Sequence, residues 1–473
     1  MSTTIPQLSA DQVAALSTSS IAALTKEDWA AFSAEQIQAL TSSQLKAIST
    51  QSVYALSSAN IQSLSVDQIT SLNSTALKSL STQAVAVLSV DQLQALGTGQ
   101  LRYFTTAEMR ALTTVQIDAL SDEQVASLSS SSVAALTVDQ IGALSSTDVA
   151  SLSSLAIRAL TSAQIHGLSA DQVDGLSATQ VRNLTTSAIA AINTEALGSL
   201  SEDQIGALTS AQAAALTTDQ IHALTLDQVQ ALSTTAIKSL TTKELAALDT
   251  DQISALRSDQ MRAMTTTEIR ALSTQQLQAL SADQIAAIAT AGIAVLSTAQ
   301  IVALTTDDIG GLGTAQIGAL GSRQVSSMEL EDLQAFSGEQ IAALKSTQIS
   351  GLTTAQIHAL SDDQVAALST LGIKALTIAQ VDALSSDQMN AWSATQMKAL
   401  STSVIAALST ADIAAIDAAW RTIVAEIGVG SFMVRGRIIL FLAHRHQRLR
   451  RSPIGAPPES APDATKKTHR RTG

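Results

Sequence analysis

Every eighth residue from Leu8 to Ile416 is apolar, and no insertion or deletion interrupts the count. The series runs Leu8, Leu16, Leu24, Phe32, Leu40, Ile48, Leu56 and onward, giving 52 anchors in 473 residues. A register this strict ties each unit to its neighbours, because one inserted residue would throw the stack out of alignment. It also removes the expectation that a chain of this length is two or more globular domains.

With the anchor as position 0, the unit reads Leu, Ser/Thr, x, Asp/x, Gln, Ile/Val, x, Ala. Residues 224–231 are an example: Leu224, Thr225, Leu226, Asp227, Gln228, Val229, Gln230, Ala231. Apolar positions 5 and 8 lie three apart with Ala between them, so the alternation of a half-buried strand is missing. One continuous helix fails too. Eight residues advance about 800°, about 80° past two turns, and the apolar stripe would wind around the axis. The helix must therefore break once per unit.

Position 1 supplies the break. It is nearly always Ser or Thr, and its replacements include Asn73, Asn193, Asp249, Gly97, Gly313 and Gly321, residues that can cap a helix N-terminus. Position 4 is Gln in most units and Glu at Glu108, Glu244 and Glu268. Ser/Thr followed three residues later by Gln/Glu is a capping box. Arg257, Ala289, Glu329 and Lys345 break the rule at position 1 and are expected to be weaker starts. Charges agree: 20 of the 37 acidic residues before residue 421 sit at position 3, and 11 of the 16 basic ones at position 6. That polarity complements a helix dipole in each unit. Each unit is therefore expected to be a capped helix of about five to seven residues, too short to stand alone and held by packing.

The basic members of position 6 are Lys46, Lys78, Arg102, Arg110, Arg158, Arg182, Lys238, Arg262, Arg270, Lys374 and Lys398. Their unit numbers keep one phase at a period of about 3.35 units, which predicts a solenoid of roughly 3.3–3.4 units per coil and a basic ridge along it. Duplication of an 80-residue block is the alternative, since Lys78, Arg158 and Lys238 are 80 apart; Lys374 and Lys398 keep the phase at a different offset. The fold expected is an all-α solenoid of about 50 very short N-capped helices in about 15 coils, a rod on the order of 120–150 Å long. Its limits are a lead-in at 1–7, the array at 8–416, a C-terminal cap or basic amphipathic segment at 417–451 and a disordered basic tail at 452–473.

Composition narrows the function. The net charge is −13, divided into −21 before residue 421 and +8 after it; so acidic an array should repel nucleic acid. Cysteine is absent and aromatics are 2%, which excludes a disulfide framework and thiolate metal sites. His166, His222 and His358 are too far apart to share a metal and occupy exposed position 6. Position-3 Asp residues could attract Ca²⁺ loosely, but there is no EF-hand loop, so no metal or cofactor is expected. Phosphate-loop, Gly-x-Ser-x-Gly and zinc-helix motifs are missing, and no enzyme is expected. Trp29, Phe32, Phe104, Phe336 and Trp392 fall on core positions. The ridge reads either as helix-end charge on a solvated face or as a contact line for an anionic polymer. Arg445, Arg448, Arg450 and Arg451 follow an apolar run broken by Arg435 and Arg437. That is a poor transmembrane span, and it reads as a cap or as a contact for a membrane surface or other anionic partner.

The units Leu-Thr-Thr-Ala-Gln-Ile-x-Ala-Leu at 352–360 and Leu-Ser-x-Asp-Gln-Val-x-Ala-Leu at 8–16 resemble octapeptide arrays of large bacterial proteins labelled adhesin-like or haem-utilisation proteins. That resemblance spans residues 8 to about 416. It implies a surface or secreted adhesion or spacer element, although no adhesive domain, export domain or haem-ligand pattern accompanies it. The opening Met1–Val13 has no basic-then-apolar signal peptide, which reads as cytoplasmic and leaves an intracellular protein-binding scaffold as the alternative. The unit also resembles the start of DNA-reading repeats in transcription-activator-like effectors, but the likeness ends after one short helix and the charge opposes it.

Overall fold

The computed structural model describes residues 4–408. The anchor Ile416, the segments at 417–451 and 452–473, and Arg445, Arg448, Arg450 and Arg451 lie outside the described residues. After a 3-10 turn at Ile5–Gln7, fifty α-helices of four to six residues follow in order, from α1 (Ala10–Ala14) to α50 (Thr402–Ala407). No strand occurs among the described residues. The fold is the all-α solenoid that the octapeptide predicts.

One unit shows how the sequence makes the element. Thr225 is extended at φ −70°, ψ 163° and precedes α28 (Leu226–Ala231). The Gln228 amide nitrogen donates to Thr225 Oγ1 at 3.2 Å, and Thr225 N donates to Gln228 Oε1 at 3.0 Å. Two N–H groups that the helix itself cannot satisfy are thereby paired. Leu232, at φ −53°, ψ 131°, returns the chain to an extended course, and Ser233 starts the next helix. The anchor is thus both a core residue and the corner between helices.

Within each compact unit, helices pack on those three units away: α25 (Glu202–Gly206) on α28, and α28 on α31 (Thr250–Ser254). Side-chain bonds described below reach the helix four units back. A coil therefore holds more than three helices and fewer than four, which brackets the period read from the basic residues. Positions 0 and 5 form the core. Ile221 and Val229 have no exposure and Leu224 is 4% exposed, while Ala231 at position 7 is half-buried. Trp29 and Trp392 are buried in the core, and the Trp29 ring stacks on Phe32 at 4.9 Å.

The chain divides into two compact units, which meet in sequence at Leu320 and Gly321. The first carries α1 to α39 (Thr314–Ala319), and the second begins with α40 (Ser322–Ser326). Within the second, α43 (Ser346–Ile349) packs on α40 and on α46 (Thr370–Ala375), repeating the three-unit rule.

The four irregular starts still open helices. Arg257 N donates to Gln260 Oε1 at 2.7 Å and Lys345 N to Gln348 Oε1 at 2.6 Å. Glu329 N donates to Asp332 Oδ2 at 3.1 Å. In each, the position-4 half of the capping box survives without a position-1 hydroxyl. Ala289 has no side-chain cap at all, and α36 (Thr290–Ala294) depends on its packing against α33 (Thr266–Ala271) and α39. Replacing Thr225 or Ser233 by Ala is therefore expected to cost only about 1 kcal/mol each, read as faster amide hydrogen exchange in the helix that loses its cap. No change in exchange would mean that the hydroxyl contributes nothing.

Candidate functional site

The most regular polar feature is a line of buried glutamines. Position 4 lies on the inner side of its helix: Gln228 is 3% exposed and Gln260 has no exposure. While its Oε1 holds its own N-cap, its Nε2 reaches the C-terminal carbonyls of the helix four units earlier. Gln228 Nε2 donates to Leu197 O at 2.9 Å and Leu200 O at 2.8 Å, at the end of α24 (Thr194–Gly198). Gln44 does the same to Val13 O and Leu16 O, both at 2.9 Å. In the second unit Gln380 reaches Ile349 O at 2.7 Å and Leu352 O at 2.8 Å. One side chain thus starts its own helix and satisfies the end of another. The capping box explains only the first role. The second was signalled by amide being preferred over carboxylate at position 4, since a plain capping box accepts either.

Glutamate breaks the pattern at two of its three positions; Glu244, 6% exposed, accepts from Thr241 N at 2.6 Å and leaves no buried oxygen unpartnered. Glu108 and Glu268 are 2% and 3% exposed, and each leaves Oε1 without a partner. Trp29 Nε1 and Trp392 Nε1 are the other buried side-chain atoms in that state among the described residues. Burial pushes both carboxyls above the ordinary range, against the opposing pull of bonds from Thr105 and Thr265; Lys238 also draws Glu268 down.

All eleven ridge cations are exposed in the last turn or just beyond it. Three pairs sit on directly packed helices: Arg158 and Arg182 on α19 (Ser154–Arg158) and α22 (Ala178–Asn183), Lys238 and Arg262 at α29 (Thr234–Ile237) and α32 (Ser258–Ala263), and Lys374 and Lys398 on α46 and α49 (Ala394–Ala399). Arg102 Nε donates to Ser127 O at 3.2 Å, and Lys78 Nζ lies 5.4 Å from the Tyr103 ring centroid. Lys46 contributes its backbone oxygen to Asn73 Nδ2 at 2.9 Å. Arg110 and Arg270 share their helices with the buried Glu108 and Glu268.

Position 6 has a structural use that the sequence did not disclose. Gln94, Arg102, His166, Gln334 and His358 each bond a carbonyl 25 residues ahead, the end of the helix three units on. The histidine Nδ1 atoms stand 3.2 Å from Ala191 O and 2.9 Å from Ala383 O. These exposed side chains stitch one coil to the next. Among the described residues no group of three His, Asp or Glu is placed to hold a metal ion. Nor is any helix there long and apolar enough to cross a membrane. A shallow depression of about 470 Å³ is lined by Arg182, Glu202, Asp203, Gly206, Ala207 and Ala231, with two carboxylates beside one guanidinium.

Eleven overlapping matches to the model of the ALTTAQ repeat fall between residues 93 and 394, and together they cover more than half of the chain. No curated protein matches it. The chain belongs to the ALTTAQ repeat family.

Proposed function

We propose that this chain is a non-enzymatic bacterial repeat protein that works as a surface or secreted adhesion and spacer element. The observation that carries the reading is the division of labour within the unit. Positions 0, 4 and 5 repeat a buried frame with little variation, while positions 2, 3 and 6 face outward and vary. A frame of that kind holds a long series of exposed side chains at fixed spacing, which suits contact with another polymer more than turnover of a small molecule. The exposed large apolar residues Val115, Leu155, Leu226 and Leu371 fall on these outward positions. The ridge cations offer contacts for an anionic cell-surface polymer.

Fractionation of native cells tests the reading. Intact cells are treated with protease and probed with an antibody raised against the array. Loss of the signal, or its recovery from the medium, is the expected result. Complete protection until the cells are lysed would overturn the reading in favour of an intracellular scaffold.

A further inference from the structure

We propose that Glu108 and Glu268 are proton-operated joints in the solenoid. Each is held as a neutral acid whose own O–H closes the helix four units earlier, and ionisation loosens the coil at that point. The geometry follows from the neighbouring glutamines. Gln116 Nε2 lies 3.0 Å from Val85 O and 2.7 Å from Leu88 O; Gln276 Nε2 lies 3.0 Å from Leu245 O and 2.9 Å from Leu248 O. The same register assigns Leu77 and Leu80 to Glu108, and Ile237 and Leu240 to Glu268. One glutamate oxygen already accepts from the N-cap amide, Thr105 N or Thr265 N. The other is buried without a partner. As an anion it faces carbonyl oxygens and is repelled by them; as an acid it donates as the amide does. A gap that fits N–H···O also fits O–H···O, and it is too narrow for a hydrated cation.

Aspartate at the same position behaves differently. Asp148 Oδ2 accepts from Ser145 N at 2.9 Å and from Ser145 Oγ at 2.6 Å, so the shorter side chain stays with its own cap.

The charged groups around the two sites set how easily the proton leaves. Glu108 sits on α13 (Thr106–Ala111), between α10 (Thr82–Ala86) and α16 (Ser130–Ala135), neither of which carries a titratable side chain. Arg110 shares its helix, Arg102 and Tyr103 precede it, and Lys78 follows α9 (Ser74–Leu77), the helix four units back. Glu268 on α33 meets Lys243 and Glu244 on α30 (Thr242–Ala247), and no titratable group on α36. Arg270 is on its own helix, Arg262 on the preceding one, and Lys238 follows α29. Both carboxyls titrate above the ordinary value because burial outweighs the bonds from Thr105 and Thr265 and, at Glu268, the charge of Lys238. A folded value above the unfolded one gives stability that is fully present below the ordinary carboxyl pKa and is lost as pH rises through the raised value.

The test compares the full-length chain with E108Q/E268Q, which restores the majority residue at both positions and so retains the frame. Hydrogen exchange by mass spectrometry is measured for both proteins from pH 4.5 to 8.5, and comparison at equal pH cancels the intrinsic exchange rate. At pH 8.5 the segments 73–80, 105–112, 233–240 and 265–272 are expected to exchange about tenfold faster in the unaltered chain. The difference should narrow steadily as pH falls and be smallest at pH 4.5. The converse variant Q116E should create the same pH-dependent difference at 81–88 and 113–120. A difference between the two proteins that does not change with pH, or no difference at all, would overturn the proposal.

Discussion

Replacing Gln228 by Ala is expected to destabilise its section of the array by about 3–5 kcal/mol, several times the effect of removing the cap hydroxyl of Thr225. The reason is the number of buried groups released together. The N–H of Thr225 loses its acceptor and the Leu200 carbonyl loses its donor, while Leu197 O keeps the bond from Leu200 N. Each stranded buried group costs about 1–3 kcal/mol, and the truncated side chain leaves a void beside Val229. Because stability in a solenoid is a sum of local terms, whole-chain melting would dilute the effect. The informative measurement is native-state hydrogen exchange in α24 and α28. A rise in opening equilibrium matching less than about 1 kcal/mol would reduce the glutamine to an ordinary cap.

The second large effect concerns register. Deleting residues 225–232 removes one whole unit, and every later helix still meets partners of the same kind three and four units away. That variant is expected to stay folded, with circular dichroism per residue unchanged. Deleting residues 225–228 shifts the register by half a unit and removes the first half of α28. The joined sequence then sets Leu224 directly before Val229, with no hydroxyl and no position-4 amide between them. Loss of helical signal over several units and new protease cleavage around residue 224 are expected. Equal tolerance of both deletions would show that the units do not depend on stacking in register.

Most of the architecture was legible because it is written in positions, and the same inference could be repeated fifty times. Ser or Thr at position 1 and charge at positions 3 and 6 located the helix ends. The apolar anchors placed Leu224 and Val229 in one core. The coil period was legible only indirectly, through the phase of cations such as Lys238 and Arg262. What stayed hidden depends on contacts between units. Nothing in the local pattern of Gln228 shows that its Nε2 ends at Leu197. Position 6 likewise looked like plain solvated surface at His166 until its bond to Ala191 O fixed it to the next coil. A local motif that is satisfied within its own helix does not name a second partner; the preference for amide at position 4 signals one without saying where it lies. The candidate contact ridge was readable as a set of residues, but what it contacts is not written in their spacing.

The three-unit and four-unit contacts also determine how such a chain can come off a ribosome. Within each compact unit every packing partner lies about 24 to 32 residues behind, so the loop closed by each new helix stays the same size as the polypeptide lengthens. Synthesis at about 5–20 residues per second delivers one unit in roughly 0.4–1.6 s, far more slowly than a short loop closes. Four units must emerge before the first Nε2 bond, from Gln36 to Ile5 O and Leu8 O, can form. From then on each newly made octapeptide finds its partners already in place, and assembly proceeds vectorially with little unburied apolar surface waiting for a distant segment to be translated.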